Sequence, residues 1–98
     1  MLSLDTPEQA AQWLRGRVTG TLHTDSRKVR AGDGFIAWPG AASDGRAHVA
    51  QALAAGAGAC LVEQAGAQAF AFTDARIASY TGLKAASGPV ASAYFDQH

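Results

Sequence analysis

Cysteine is nearly missing from this chain. Cys60 stands alone among 98 residues, so no intramolecular disulfide can form and a reducing compartment is expected. An excess of either charge is missing too: eight basic residues balance eight acidic ones, which excludes the broad positive face that nucleic acid or an anionic membrane needs. Charges and glycines interrupt every apolar run before it reaches the length of a bilayer span, and the N-terminus has neither the basic segment nor the apolar core of a leader. A soluble, cytoplasmic protein is the expectation. Nor does any Gly-Lys pair occur, so the phosphate loop of the Walker A kind is excluded.

What is present is an ordinary globular composition, 48% apolar, in a length that suits one core and not two. Thr6-Pro7-Glu8-Gln9 predicts a helix start, with a threonine cap, proline in the first turn and Gln9 placed to close a capping box. Ala10, Trp13 and Leu14 then share a face, and Gly16 is a natural stop. Residues 19–24 have the β-branched content of a short strand, and a polar loop runs from Asp25 to Gly34. Phe35 to Trp38 reads as a buried strand, and Ala47 to Ala55 as a helix closed by Gly56 in the left-handed position. Ala59 to Glu63 is another strand. Further on, Phe70 to Phe72 and Ile77 to Tyr80 suggest short strands, and Leu83 to Phe95 is helical in pattern. Pro89 there either kinks the helix or marks a fresh start. Alternating strands and helices indicate an α/β fold with a small sheet, and the pattern leaves open whether that sheet is mixed or parallel.

Two loops carry candidate chemistry. The first, Thr24-Asp25-Ser26-Arg27-Lys28, leaves a strand, and strand ends are where α/β folds bind ligands. Ser26 has a hydroxyl to offer a phosphate or sugar oxygen, and Arg27 a planar fork that fits a diphosphate. The bland alternative is a solvated turn with Asp25 and Ser26 bonded to nearby amides, and residue chemistry alone favours it. The second loop, Pro39 to Arg46, is small and polar and leads into a helix. Ser43 or Asp44 can cap that helix, whose first amides attract anions. Asp44 suits capping or hydroxyl binding better than phosphate, because its own charge repels one.

Other patterns point nowhere. Gly32-Asp33-Gly34-Phe35-Ile36-Ala37 has the letters of a dinucleotide fingerprint, yet it precedes a strand instead of opening a helix. His23, Asp25 and His48 have no third ligand at metal spacing, so no metal site and ordinary hydrogen-bonded histidines are expected. Spacing leaves a pairing of Cys60 with a histidine open, but the apolar run Ala59-Cys60-Leu61-Val62 predicts a raised thiol pKa and an inert side chain. Phe35, Trp38 and Tyr80 read as core, although an aromatic at a strand end can flank a base.

Taken in order, Asp25-Ser26-Arg27, Val29, Gly32-Asp33, Phe35-Ile36-Ala37, Gly40, Asp44-Gly45, Ala52, Gly56-Ala57 and Leu61-Val62-Glu63 resemble the N-terminal domain of Mur ligases. These enzymes make the cytoplasmic peptide additions of peptidoglycan synthesis. The tail, Gly82-Leu83-Lys84 through Ala93-Tyr94-Phe95, looks like the helix before the family's central domain. Within the family the spacing is more similar to the MurE type, which extends the UDP-muramoyl dipeptide, than to the MurF type, which adds D-alanyl-D-alanine. Both types share the Asp-Ser-Arg opening.

The resemblance implies one domain over residues 1–98 that holds the UDP part of UDP-N-acetylmuramoyl-L-alanyl-D-glutamate. It puts Ser26 on the nucleotide, with Thr24, Ala41, Ala42 and Ser43 lining the site, the two alanines through backbone and shape alone. Arg27 joins them, and Asp25, Asp44 and Gly45 support the loops. It implies no catalytic residue in this chain, and ATP and magnesium only in the full-length enzyme. The amine added is meso-diaminopimelate, with L-lysine the alternative. Partners implied are the central and C-terminal ligase domains. A rival of another class is a non-catalytic module that docks a cell-wall or division protein. Two departures from the family, Gly34 for a larger apolar residue and His48 for an aromatic, predict looser packing around the first strand. The chain stops at Asp96-Gln97-His98, where the family continues through a Pro-Ser connection. The central domain with its phosphate loop, carbamylated lysine and magnesium ligands is therefore expected to be absent, and the fragment inactive alone.

Overall fold

Thr6 opens the first helix, α1 (Pro7–Arg15), by accepting the Gln9 amide on its hydroxyl at 3.1 Å. Pro7 sits in the first turn, where its missing N–H costs nothing. Gln9 reaches back as in a capping box, but to the Asp5 amide at 3.0 Å, one residue before the cap. Gly16 closes the helix in a right-handed conformation.

The computed structural model describes residues 1–95, and the expectations attached to Asp96, Gln97 and His98 lie outside them. Five strands form one sheet: β1 (Leu2–Leu4), β2 (Leu22–His23), β3 (Gly34–Ala37), β4 (Ala59–Glu63) and β5 (Ile77–Tyr80), in the order β1-β5-β4-β3-β2. Every pairing is parallel. The sheet is therefore not mixed, and each connection must carry the chain back across it, which is why helices cover its faces.

Side chains alternate across the sheet with the period of two that a pleat imposes. Ile36, Ala59, Leu61, Ala78 and Tyr80 face one side, where they pack with Leu4 and with Ala10, Trp13 and Leu14 of α1. Leu83 and Val90 of the last helix, α3 (Leu83–Phe95), complete that layer. Phe35, Ala37, Cys60, Val62 and Ile77 face the other side, against Val49 and Ala52 of α2 (Val49–Ala54). Both faces are buried, so the strands read as continuous apolar runs.

Several elements differ from the sequence pattern. The strand expected over 19–24 shrinks to β2, because the Thr19 and Gly20 amides donate to the Gly32 carbonyl and the Thr21 amide to the Asp33 carboxylate. Phe70-Ala71-Phe72 is no strand: Ala67–Phe70 forms a 3-10 turn, Ala71 has φ +49°, and the two phenyl rings stack at 5.4 Å. The helix expected over 47–55 divides into a 3-10 turn, Gly45–His48, followed by α2. Gly56, at φ +100°, takes the left-handed position predicted for it. At Pro89 the helix neither stops nor restarts: α3 is one helix running through it. Packing at Gly34 is full, not loose, since a Cβ there would lie 2.7 Å from Leu22 Cδ2 and 3.1 Å from Val18 Cγ2.

Candidate functional site

An open cleft of about 610 Å³ lies beyond the C-terminal ends of β2 and β3, the place where parallel α/β sheets bind ligands. The loop leaving β2 supplies Thr24, Asp25, Ser26 and Arg27. The loop leaving β3 supplies Trp38, Gly40, Ser43 and Gly45, while His48 and Gln51 close the side made by α2 and the turn before it. Two loops far apart in sequence thus meet at one wall. Ala41 and Ala42 sit exposed between Gly40 and Ser43 and are not part of the lining, and neither is Asp44.

Asp25 organises the first loop. Its carboxylate caps the 3-10 turn Ser26–Lys28 by accepting the Arg27 amide at 2.9 Å, and it also accepts from Arg27 Nε at 3.0 Å and Nη2 at 2.9 Å. These bonds from Arg27 hold the Asp25 carboxyl down at about 2. The fork that the sequence offered to a diphosphate is therefore clasped to Asp25, leaving Nη1 for a ligand. Ser26 is buried, and its hydroxyl donates to the Gln51 carboxamide oxygen at 3.1 Å. A carboxamide is not a base, so this contact does not activate Ser26 as a nucleophile.

Asp44 repeats the clasp in the second loop, accepting the Arg46 amide at 2.9 Å and the Arg46 side chain at 2.8–3.2 Å. Here the arginine is buried: Nη1 donates to the Glu63 and Ala65 carbonyls, and the guanidinium lies 5.0 Å over the Phe70 ring. The side-chain bonds from Arg46 keep the Asp44 carboxyl below its usual range. Arg46 so ties the loop after β3 to the end of β4. Ahead of it, Gly40 donates to the Ser43 carbonyl at 2.9 Å and Gly45 to that of Trp38 at 3.1 Å, giving the loop a hairpin shape.

Asp33 does the same for the loop after β2. It is buried and accepts from the Thr21 and Arg30 amides, each at 3.1 Å, and from His23 Nε2 at 3.0 Å. His23 is thus a hydrogen-bonded histidine as expected, whereas His48 lies exposed on the cleft wall. Among the described residues no group of three or more His, Cys, Asp or Glu side chains is placed to hold a metal, and no helix is long and apolar enough to cross a membrane. Sequence reasoning missed Arg46, Asp33 and Gln51 as builders of the site. For Arg46 a signal existed, since Asp44-Gly45-Arg46 has the spacing of Asp25-Ser26-Arg27.

A family profile described as Mur ligase family, catalytic domain, matches residues 20–94. The chain belongs to the Mur ligase family. Its fold is that of the family's N-terminal domain, a small parallel sheet flanked by helices.

This Mur ligase chain is 60% identical, over 95% of its length and 19% of the relative's, to the UDP-N-acetylmuramoyl-L-alanyl-D-glutamate--2,6-diaminopimelate ligase of Acidovorax sp. (strain JS42). It is 37% identical to the ligase of the same name from Pseudomonas putida, over 99% of this chain and 20% of that protein. A UDP-N-acetylmuramoyl-tripeptide--D-alanyl-D-alanine ligase of Mycobacterium leprae is 54% identical, over 57% of this chain and 10% of its own. The chain spans about a fifth of the length of the diaminopimelate ligases it matches.

Proposed function

We propose that residues 1–98 are the UDP-sugar-binding domain of an ATP-dependent ligase that adds 2,6-diaminopimelate to UDP-N-acetylmuramoyl-L-alanyl-D-glutamate in the cytoplasm. The observation that carries this reading is the convergence of Thr24, Ser26, Arg27 and Ser43, from two separate loops, on one cleft at the ends of β2 and β3. Ser26 and Thr24 contact the nucleotide, Arg27 Nη1 meets the diphosphate, and Ser43 lies beside it, with the backbone of Ala41 and Ala42 at the rim of the same loop. Asp25, Asp44 and Gly45 hold the two loops in shape.

Such a domain contributes by anchoring. Binding energy from the UDP end, remote from the reacting carboxyl, positions that carboxyl for chemistry done by other domains. ATP and magnesium serve that chemistry in the complete enzyme. The sequence has no Gly-Lys pair, and the described residues include no metal-ligand cluster, to fit either of them. The diaminopimelate reading stands above the D-alanyl-D-alanine one because two diaminopimelate ligases align with nearly the whole chain and the D-alanyl-D-alanine ligase with little more than half.

Calorimetric titration of this chain with UDP and with the UDP-muramoyl dipeptide tests the reading. Weak, saturable binding is expected, reduced roughly tenfold by Ser26→Ala and severalfold by Arg27→Ala. If neither nucleotide binds while the domain captures a cell-wall or division protein, the interaction-module reading replaces this one.

A further inference from the structure

Ser26 and Gln51 stand side by side on the cleft wall, and the polarity of their hydrogen bond limits what they can recognise. A serine hydroxyl has one proton and two lone pairs. Its proton is spent on the Gln51 oxygen, so lone pairs are what Ser26 turns toward a ligand. Gln51 has used its oxygen and keeps both carboxamide N–H groups. The wall therefore offers an acceptor beside a donor. Ser26 is buried and α2 packs on the 3-10 turn that carries it, which holds the hydroxyl in this arrangement.

On the reading that the ligand is a uridine diphosphate, its phosphate oxygens and ring carbonyls accept only and cannot bond Ser26 in this state. Its donors are the uracil N3–H and the ribose hydroxyls. Of these, only the uracil sets a donor rigidly next to a carbonyl acceptor in one plane. We propose that Ser26 and Gln51 form a base-reading pair, in which Ser26 Oγ accepts from uracil N3–H and the Gln51 amide donates to the adjacent ring carbonyl. Gln51 is thereby a specificity-determining residue twice over: it fixes the polarity of Ser26 and makes the second contact itself. Cytosine presents the reverse pattern, a bare N3 and an exocyclic amino group, which sets acceptor against acceptor and donor against donor. Trp38, half-buried, lines the same cleft and gives the ring an apolar flank.

Titrating the chain with UDP, CDP and 2′-deoxy-UDP at one ionic strength tests the pair. The three carry the same phosphates, so their affinity ratios cancel the charge contribution. The expected result is a UDP preference over CDP of roughly tenfold or more, with 2′-deoxy-UDP binding like UDP. Gln51→Leu is expected to bring the UDP-to-CDP ratio close to one with only a small drop in melting temperature, since Gln51 is exposed and the cost is the Ser26 hydroxyl's lost acceptor. Gln51→Glu keeps the acceptor for Ser26 and loses the donor, so it retains part of the preference and serves as the second variant. The double variant Ser26→Ala/Gln51→Leu should show no smaller ratio than Gln51→Leu alone. Equal binding of UDP and CDP by the unaltered chain overturns the base-reading pair and leaves the UDP-binding reading standing. A large loss on removing the 2′-hydroxyl, with CDP still bound as well as UDP, also overturns it by moving the contact to the ribose. Failure of UDP to bind at all removes both.

Discussion

Arg46 and Asp44 grip each other across two residues, Nη2 to Oδ2 at 2.8 Å, with the arginine end of the pair only 5% exposed. The same guanidinium bonds carbonyls 17 and 19 residues along the chain, so one side chain joins the loop after β3 to the end of β4. Without Arg46 the half-buried Asp44 carboxylate loses its partner, the Glu63 and Ala65 carbonyls lose their donor, and a gap opens where a buried side chain packed. Arg46→Ala is expected to lower stability by about 2 kcal/mol in urea denaturation. Arg46→Lys should recover little of it, because an ammonium cannot reproduce the planar fork. A loss below about 0.5 kcal/mol, the size of an ordinary surface change, would contradict the role given to this residue.

Gly58 has no room for a side chain. A Cβ there would overlap the Arg17 backbone carbonyl oxygen, which a rotamer change cannot move aside. Gly58→Ala is expected to cost about 2 kcal/mol through forced backbone displacement, measured as a shift of the denaturation midpoint.

Asp33 makes stability depend on acid. Burial disfavours its charged form, but the Thr21 and Arg30 amides and His23 outweigh that and hold the carboxyl below its ordinary value. A carboxyl depressed in the folded state contributes stability that is complete above its unfolded value, about 3.9, and is lost as pH falls from there through the folded value. Denaturation between pH 6 and about 3 should show that decline. Asp33→Asn should flatten it without abolishing it, because the clasped Asp25 and Asp74 are held down to about 2 in the same window. At neutral pH the asparagine is expected to cost about 1–3 kcal/mol, since its amide must face a donor.

Cys60 should be chemically silent in the native chain. It is fully buried between β3 and β5, and burial pushes its thiol up to about 12. Alkylation at mildly basic pH is expected to proceed only as fast as the chain unfolds, and at once in urea. Rapid native-state labelling would contradict a thiol buried within the sheet.

Trp38 lines the cleft, whereas Trp13 packs in the α1 layer. Adding UDP should therefore change tryptophan emission, and Trp38→Phe should remove the change while Trp13 continues to report folding. An emission change that survives Trp38→Phe would separate the nucleotide from this cleft.

Much of the fold was legible because its signals are local. The Thr6 cap, the apolar runs of β3 and β4, and Gly56 after α2 each act within a turn or two of themselves. Strand β1 was not legible: three residues carry no period, and they become a strand only because β5 offers them an edge. Phe70 and Phe72 have strand composition, yet their rings stack on each other and Phe70 also takes the Arg46 guanidinium. The cleft was half legible. Ser26 announced itself by its neighbours, while Gln51, 25 residues away, looked like any polar residue on a helix.

The Asp-x-Arg clasp is what the sequence determined by itself. It forms at Asp25-Arg27, Asp44-Arg46 and Asp74-Arg76 with nearly the same bonds, because two residues is the reach of a carboxylate to an amide and a guanidinium ahead of it. Tertiary structure alone decided what each clasp is for. Arg27 stays 81% exposed at the mouth of a cleft, while the end of β4 and Phe70 close over an identical arginine at position 46. Local geometry depends on neighbours in sequence, but burial depends on which distant segments pack on top, and burial is what turns the same clasp into a fastener.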